Sequence, residues 1–213
     1  VVLESRLAQF GGVPFSHGAL LPLLAGYRRP NDKIADWLAQ GVLLPLRRGL
    51  YVVGPVWRKG AVSLPLVANR LHGPSCVSLD YALAWHGLIP ERVVEVTSVC
   101  MKRGRVMENA LGRFSWASLP ADVYPVGIRT ESVEQGVSFL MASPAKALCD
   151  KILLTRHLQV TSRAAMLAFL LEDLRVDPDA LANLDRSVVA HYAASGHKPR
   201  QLQALHRLLE EWQ

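Results

Sequence analysis

Arg28-Arg29-Pro30-Asn31-Asp32-Lys33-Ile34-Ala35-Asp36-Trp37-Leu38-Ala39-Gln40-Gly41 runs directly into Val42-Leu43-Leu44-Pro45-Leu46-Arg47-Arg48-Gly49-Leu50-Tyr51-Val52-Val53-Gly54. The first half reads as a short helix. Asn31 is a good N-cap with Pro30 before it, and Gly41 stands where a left-handed residue closes a helix. Ile34, Trp37 and Leu38 recur at i, i+3 and i+4. They give one core-facing stripe and leave Asn31, Asp32, Lys33, Asp36 and Gln40 outside. The second half reads as a hairpin. Two apolar runs flank Arg47-Arg48-Gly49, and Gly49 supplies the positive φ that a tight turn needs. A polar-faced helix followed at once by a hairpin with two arginines at its tip is the layout of a winged helix-turn-helix. Its helix enters a DNA major groove, and its wing reaches phosphates or the minor groove.

The residues before this segment supply the remaining parts. Leu3, Leu7 and Phe10 give a weak helical spacing over 2–10, ended by Gly11-Gly12. Phe15-Ser16-His17 opens a second helix with Ser16 as N-cap and Leu20, Leu21, Leu23 and Leu24 on its buried side; Pro22 sits in its first turn or shortens it. Three short helices and a hairpin within about 55 residues match the size of a winged helix. The domain boundary is expected between Gly54 and Gly60, giving a DNA-binding domain over 1–56 and a second domain over 57–213.

Beyond the boundary a helix is expected over 62–71, following Ser63, and another from Ser78 to Gly87. Val93, Val94, Val96, Thr97 and Val99 predict a strand, and Lys102-Arg103-Gly104-Arg105 a turn. Further strands are expected over 112–118, within 123–133 and over 137–141, with Glu134-Gln135-Gly136 as a hairpin turn. Ser143-Pro144 opens a helix with Ala147, Leu148, Ile152 and Leu153 as its apolar side. The tail over 161–212 reads as four capped helices. The fold class is therefore α+β: an N-terminal winged helix-turn-helix, a middle mixed α/β region with an antiparallel sheet, and C-terminal helices.

The chain has 213 residues, half of them hydrophobic, which is ample for a large core. No apolar run approaches the roughly 20 residues of a membrane helix. Val1-Val2-Leu3-Glu4-Ser5-Arg6 lacks the apolar stretch and cleavage site of a signal peptide. Three scattered cysteines, Cys76, Cys100 and Cys149, form no metal or disulfide framework and read as buried thiols of a cytoplasmic protein. Residues 1–60 hold eight basic and three acidic side chains, a net +5, against sixteen and fifteen, a net +1, over 61–213. This asymmetry points to a polyanion partner for the N-terminal part.

Three segments carry a resemblance. They are Gly41-Val42-Leu43-Leu44-Pro45-Leu46-Arg47-Arg48-Gly49-Leu50-Tyr51, Ser75-Cys76-Val77-Ser78-Leu79-Asp80-Tyr81-Ala82-Leu83 with Gly87-Leu88-Ile89-Pro90-Glu91, and Ser143-Pro144-Ala145-Lys146-Ala147-Leu148-Cys149-Asp150. In this order they resemble the AbiEi family of antitoxins from bacterial type IV toxin–antitoxin systems. At Ala145 that family more often carries Glu. The resemblance implies a winged helix that binds inverted repeats in double-stranded DNA near its own operon and represses it. It also implies a following region that counteracts a nucleotidyltransferase-like toxin, with or without a direct complex.

Arg47 and Arg48 are the first candidates for DNA contact, at phosphates or in a narrow minor groove. Asn31 can pair with adenine, or serve only as a cap, and Lys33 can meet guanine or phosphate. Arg28 and Arg29 precede the helix, and Arg58 and Lys59 leave the hairpin; all four are assigned to the same interface. Lys102, Arg103 and Arg105 form a second basic cluster, read either as an additional contact or as a solvated turn. His86 reads as a core or boundary histidine, and Lys146 with Asp150 as a surface i, i+4 ion pair. No catalytic residue, metal or cofactor is expected. The competing readings are a nucleic-acid-processing enzyme targeted by the winged helix and a protein-interaction module. The first lacks the carboxylate–lysine cluster of a metal-dependent nuclease.

Overall fold

The computed structural model describes residues 6–133 and 136–212. The helix expected over 2–10 lies partly outside them; within them, Ala8–Phe10 form a 3-10 turn. Glu134 and Gln135 of the expected hairpin turn also lie outside the described residues. The fold is mixed α+β. Among the described residues two sheets are present, a three-stranded one ordered β1-β3-β2 and a six-stranded one ordered β6-β7-β5-β4-β9-β8. Among the described residues, no helix is long and apolar enough to cross a membrane.

The small sheet comprises β1 (Phe15–Ser16), β2 (Leu43–Arg47) and β3 (Leu50–Val53). The expected helix start at Phe15-Ser16 is thus a strand: Phe15 pairs with Tyr51 and Ser16 with Leu50. The helical part is only α1 (His17–Leu20), followed by a 3-10 turn at Pro22–Leu24. Pro22, lacking a donor, opens that turn. Leu20 and Leu24 are buried, while Leu21 is exposed. Helix α2 spans Pro30–Ala39. Proline at the first helical position fits its fixed φ, so Arg29, not Asn31, occupies the cap position, and no side chain caps this end.

Strand β3 is buried on both faces. Because strand side chains alternate, Tyr51 and Val53 join Ile34, Trp37, Leu43 and Phe15 in a small core, while Leu50 and Val52 join the larger one. The hairpin is therefore a wall shared by the two cores. Asn109 Nδ2 also donates to the Leu46 carbonyl at 3.3 Å, tying the hairpin to the large sheet.

That sheet contains β4 (Ser75–Val77), β5 (Val96–Cys100), β6 (Arg105–Asn109), β7 (Gly112–Ser118), β8 (Ile128–Val133) and β9 (Val137–Ala142). It is not purely antiparallel as expected: β4 runs parallel to β9, and β5 parallel to β7. Strand β6 lies outside β7, so the chain leaves a gap after β5 and fills it on its return. Against the sheet pack α3 (Leu64–Leu71) and α4 (Leu79–Trp85), and beyond them α5 (Pro144–Leu154). The tail forms α6 (Arg163–Ala168), α7 (Pro178–Ala182), α8 (Arg186–Ala194) and α9 (Pro199–Glu210). Ser63, Ser143, Ser162, Asp177 and Asp185 accept backbone N–H bonds as side-chain caps.

Candidate nucleic-acid interface and a buried polar cluster

The hairpin tip is built by a two-residue connection. Arg47 pairs with Leu50, and an irregularity between Pro45 and Arg47 turns Leu46 into the large core. Gly49 has φ +75°. Its carbonyl accepts from His17 N–H at 2.9 Å, so the tip is anchored to the start of α1. Arg47 and Arg48 are exposed, and among the described residues neither has an ion pair or a hydrogen-bonded side chain.

The other candidates divide. Arg28 and Arg29 are exposed ahead of α2, where Arg29 makes a loose 3.8 Å contact with Asp32. Asn31 is exposed. Lys33 is half-buried, with Nζ 5.5 Å from the Trp37 ring centroid. The outer face of α2 also carries Asp32, Ala35, Asp36 and Ala39, so positive potential does not come from this helix. Arg58 is half-buried, its Nη1 donating to the Val53 carbonyl at 3.2 Å. It and exposed Lys59 follow β3 at the base of the hairpin. Four residues of β3 place them about 13 Å from the tip, so one point of contact does not include both ends.

Lys102, Arg103 and Arg105 are exposed, with Lys102 Nζ donating to the Gly73 carbonyl at 2.8 Å. They stand at the start of β6, whereas Asn109 at its end touches the hairpin. The second cluster is thus a strand's length from the tip.

Sequence reasoning missed a buried polar cluster. Lys146 and Asp150 are not on the surface: both side chains are 0% exposed. Lys146 Nζ lies 3.3 Å from Asp150 Oδ2 and donates to Tyr192 Oη at 2.8 Å. Tyr192 Oη donates to Asp150 Oδ1 at 2.5 Å, and Ser78 Oγ to Asp150 Oδ2 at 2.6 Å. The Val123 carbonyl lies 3.3 Å from Tyr192 Oη and accepts from Lys146 Nζ at 3.5 Å. Three elements therefore meet at one carboxylate, the end of β4, α5 and α8, and the turn at Val123 joins the cluster through Lys146 and Tyr192. The Ser78 hydroxyl is consequently not a cap for α4. The next residue, Leu79, has φ +58°, an uncommon conformation for a residue with a Cβ.

Burial pushes the Asp150 carboxyl up, while Lys146, Ser78 and Tyr192 pull it back. Burial and the neighbouring Asp150 push the Tyr192 phenol up. Burial raises the Cys76 thiol to about 12 and pushes Cys149 up as well. Serine, lysine and tyrosine around a carboxylate can in general activate a nucleophile. Here Ser78, Lys146, Asp150 and Tyr192 are all 0% exposed, so no substrate atom reaches them. The cluster is a satisfied structural network. One signal could have revealed it. Helix α5 is apolar on nearly every side, and a helix apolar all round is buried, so its Lys and Asp are buried with it.

His86 is half-buried with Nε2 2.8 Å from the Ala142 carbonyl, a boundary histidine. The three cysteines are buried and free. Among the described residues, no three His, Cys, Asp or Glu side chains are grouped to hold a metal ion. An open cleft of about 330 Å³ lies between Asp80, Glu91, Lys151 and Asp173, but Lys151 is already paired with Asp80 at 2.7 Å. No protein-family model matches this chain, and no curated protein matches it.

Proposed function

We propose that this protein is a DNA-binding regulator whose N-terminal part is a winged helix. The observation that carries the reading is the order β1-α1-α2-β2-β3 closing a three-stranded sheet, with exposed Arg47 and Arg48 at the β2–β3 tip. The arrangement suits a helix in the major groove and two cations on the adjacent backbone. Arg28 and Arg29, exposed ahead of the helix, extend the cationic contact. The acidic outer face of α2 assigns affinity to the tip and to these arginines, with base reading left to Asn31 and Lys33.

The resemblance to AbiEi antitoxins adds the biological role. In this reading the protein represses its own operon at inverted repeats and counteracts a nucleotidyltransferase-like toxin encoded beside it, acting in the cytoplasm without catalysis of its own. The direct test is a gel-shift titration of the full chain with duplex from its own upstream region and with random duplex. Tighter binding to the former, lost on Arg47→Glu/Arg48→Glu, supports the reading. Equal binding to both, or retained binding by the double variant, overturns it. Co-expression with the adjacent gene tests the antitoxin role: rescue of growth supports it, and continued growth arrest overturns it.

A further inference from the structure

Strand β8 is the free edge of the six-stranded sheet, and its backbone is set to accept another strand. Thr130 stands opposite Leu140 of β9. Leu140 N–H donates to Asn69 Oδ1 at 2.7 Å, and its carbonyl accepts from Asn69 Nδ2 at 3.3 Å. Both polar groups of Leu140 therefore point toward α3, away from β8. In an antiparallel pair, opposed residues either exchange both bonds or neither. Thr130 thus turns its own N–H and C=O outward, and the two-residue period extends this to Ile128 and Ser132. The Ser132 and Ser138 hydroxyls, 2.9 Å apart, fit the closer spacing of such a pair. Among the described residues, nothing bonds to these outward groups. The opposite edge, β6, is different, because Asn109 holds it against the hairpin.

The charges on β8 complement themselves. We propose that β8 is the seam of a homodimer, pairing antiparallel with β8 of a second copy about a two-fold axis at Thr130. In that register Thr130 exchanges two backbone bonds with the second copy's Thr130. Ile128 exchanges two with the second copy's Ser132, and the reverse pair repeats them. Arg129 then faces the second copy's Glu131, twice over. Opposite charges directly across a strand pair stabilise it, and like charges destabilise it. The neighbouring registers set Arg129 against Arg129, or Glu131 against Glu131, so the charges select one alignment. On the other face the same row brings Leu140, 40% exposed, beside the seam from each copy. Strand β6 has no equivalent. Residues opposed across such an axis share a face, and Arg105 and Glu108, three apart, do not. The contact is isologous and closes as a dimer. It holds independently of any DNA reading and, if both hold, presents two tips related by a two-fold axis, the symmetry of an inverted repeat.

The test is sedimentation of the full chain without DNA, from low-micromolar to several-hundred-micromolar concentration. Wild-type protein is expected to dimerise. Arg129→Glu and Glu131→Arg each place like charges across both contacts and should weaken dimerisation about tenfold or more. An equimolar mixture of the two variants restores opposite charges at both contacts and should recover a heterodimer. Arg129→Glu/Glu131→Arg in one chain should recover a homodimer. Recovery excludes misfolding as the cause, which matters because Arg129 also lies near Asp185. A wild type that stays monomeric overturns the proposal. So does a dimer indifferent to both single variants, or a mixture that does not recover.

Discussion

Arg47 and Arg48 at the hairpin tip and Lys146 in the large core are cations on well-formed elements, yet their surroundings differ in every respect. The tip arginines are exposed and, among the described residues, unanswered. Lys146 is sealed, and a carboxylate, a phenol and a carbonyl surround it within one cluster. The same residue chemistry can thus be available to an outside polyanion or consumed within the fold. Low dielectric makes the buried set a strict all-or-none arrangement, whereas water makes the tip tolerant of change. The tip should therefore govern binding with little effect on folding, and the cluster folding with little effect on binding.

The hardest way to break that contrast is at Asp150. Asp150→Ala leaves a buried ammonium without its counter-charge, which costs about 3–5 kcal/mol. Urea unfolding should register a loss of that size. Lys146→Met/Asp150→Leu removes both charges and should recover most of it. If the single variant lost less than about 1 kcal/mol, water would have to reach Lys146, and the contrast would fail.

At the tip the effect is on affinity. Arg47→Glu/Arg48→Glu should weaken binding to upstream DNA about a hundredfold, roughly 2.7 kcal/mol. Unfolding free energy should stay within about 0.5 kcal/mol of wild type. The neutral pair Arg47→Ala/Arg48→Ala should reduce the slope of log K against log salt by about 2, roughly one unit for each phosphate left without its arginine. An unchanged slope would assign the phosphates to Arg28 and Arg29 instead.

How far each region was legible follows from the range of the interactions that make it. Helix α2 and the β2–β3 hairpin are encoded locally, in the Ile34–Trp37–Leu38 spacing and in Gly49, and the sequence reading places both. The strand at Phe15–Ser16 is not local: its partners Tyr51 and Leu50 are more than thirty residues away, and two residues carry no period. Strand β6 is missed, with Arg105 read into the turn over 102–105 and 106–109 assigned to no element, because Arg105-Val106-Met107-Glu108-Asn109 shows no clean alternation. The buried cluster is hidden for a third reason. Lys and Asp at i, i+4 look alike on any helix; the one hint is the otherwise apolar make-up of α5, and the packing of α4 and α8 onto it seals the pair.

Two glycines sharpen the comparison on backbone grounds. Gly49 at the tip and Gly127 beside the cluster have the same φ, +75°. A Cβ at Gly49 meets nothing within 4 Å, whereas one at Gly127 falls 2.9 Å from Lys146 Cβ and 3.0 Å from Ser143 Oγ. Gly49→Ala should cost about 1 kcal/mol through conformation alone. Gly127→Ala adds the clash and should cost about 2–3 kcal/mol by thermal unfolding. Equal losses would mean that the wall around Lys146 yields.

The smallest effect concerns Asp185, which caps the helix that carries Tyr192 into the cluster. Its Oδ1 accepts from the Ser187 hydroxyl at 2.6 Å and from Ser187 N–H at 3.0 Å. These bonds, the hydroxyl's first, hold the carboxyl below its ordinary 3.8. A folded value below the unfolded one means that the carboxylate stabilises the fold above the unfolded value. That contribution disappears as pH falls through the folded one. Asp185→Ala should therefore cost about 1 kcal/mol at neutral pH, and the difference from wild type should shrink as pH falls below the ordinary carboxylate value. Tyr192 lies about two helical turns beyond the cap. If fraying stops at the first turn, Asp185→Ala and Asp150→Ala add within about 0.5 kcal/mol. Coupling above that would mean that the cap holds Tyr192 against Asp150, and that the sealed cluster depends on a surface carboxylate after all.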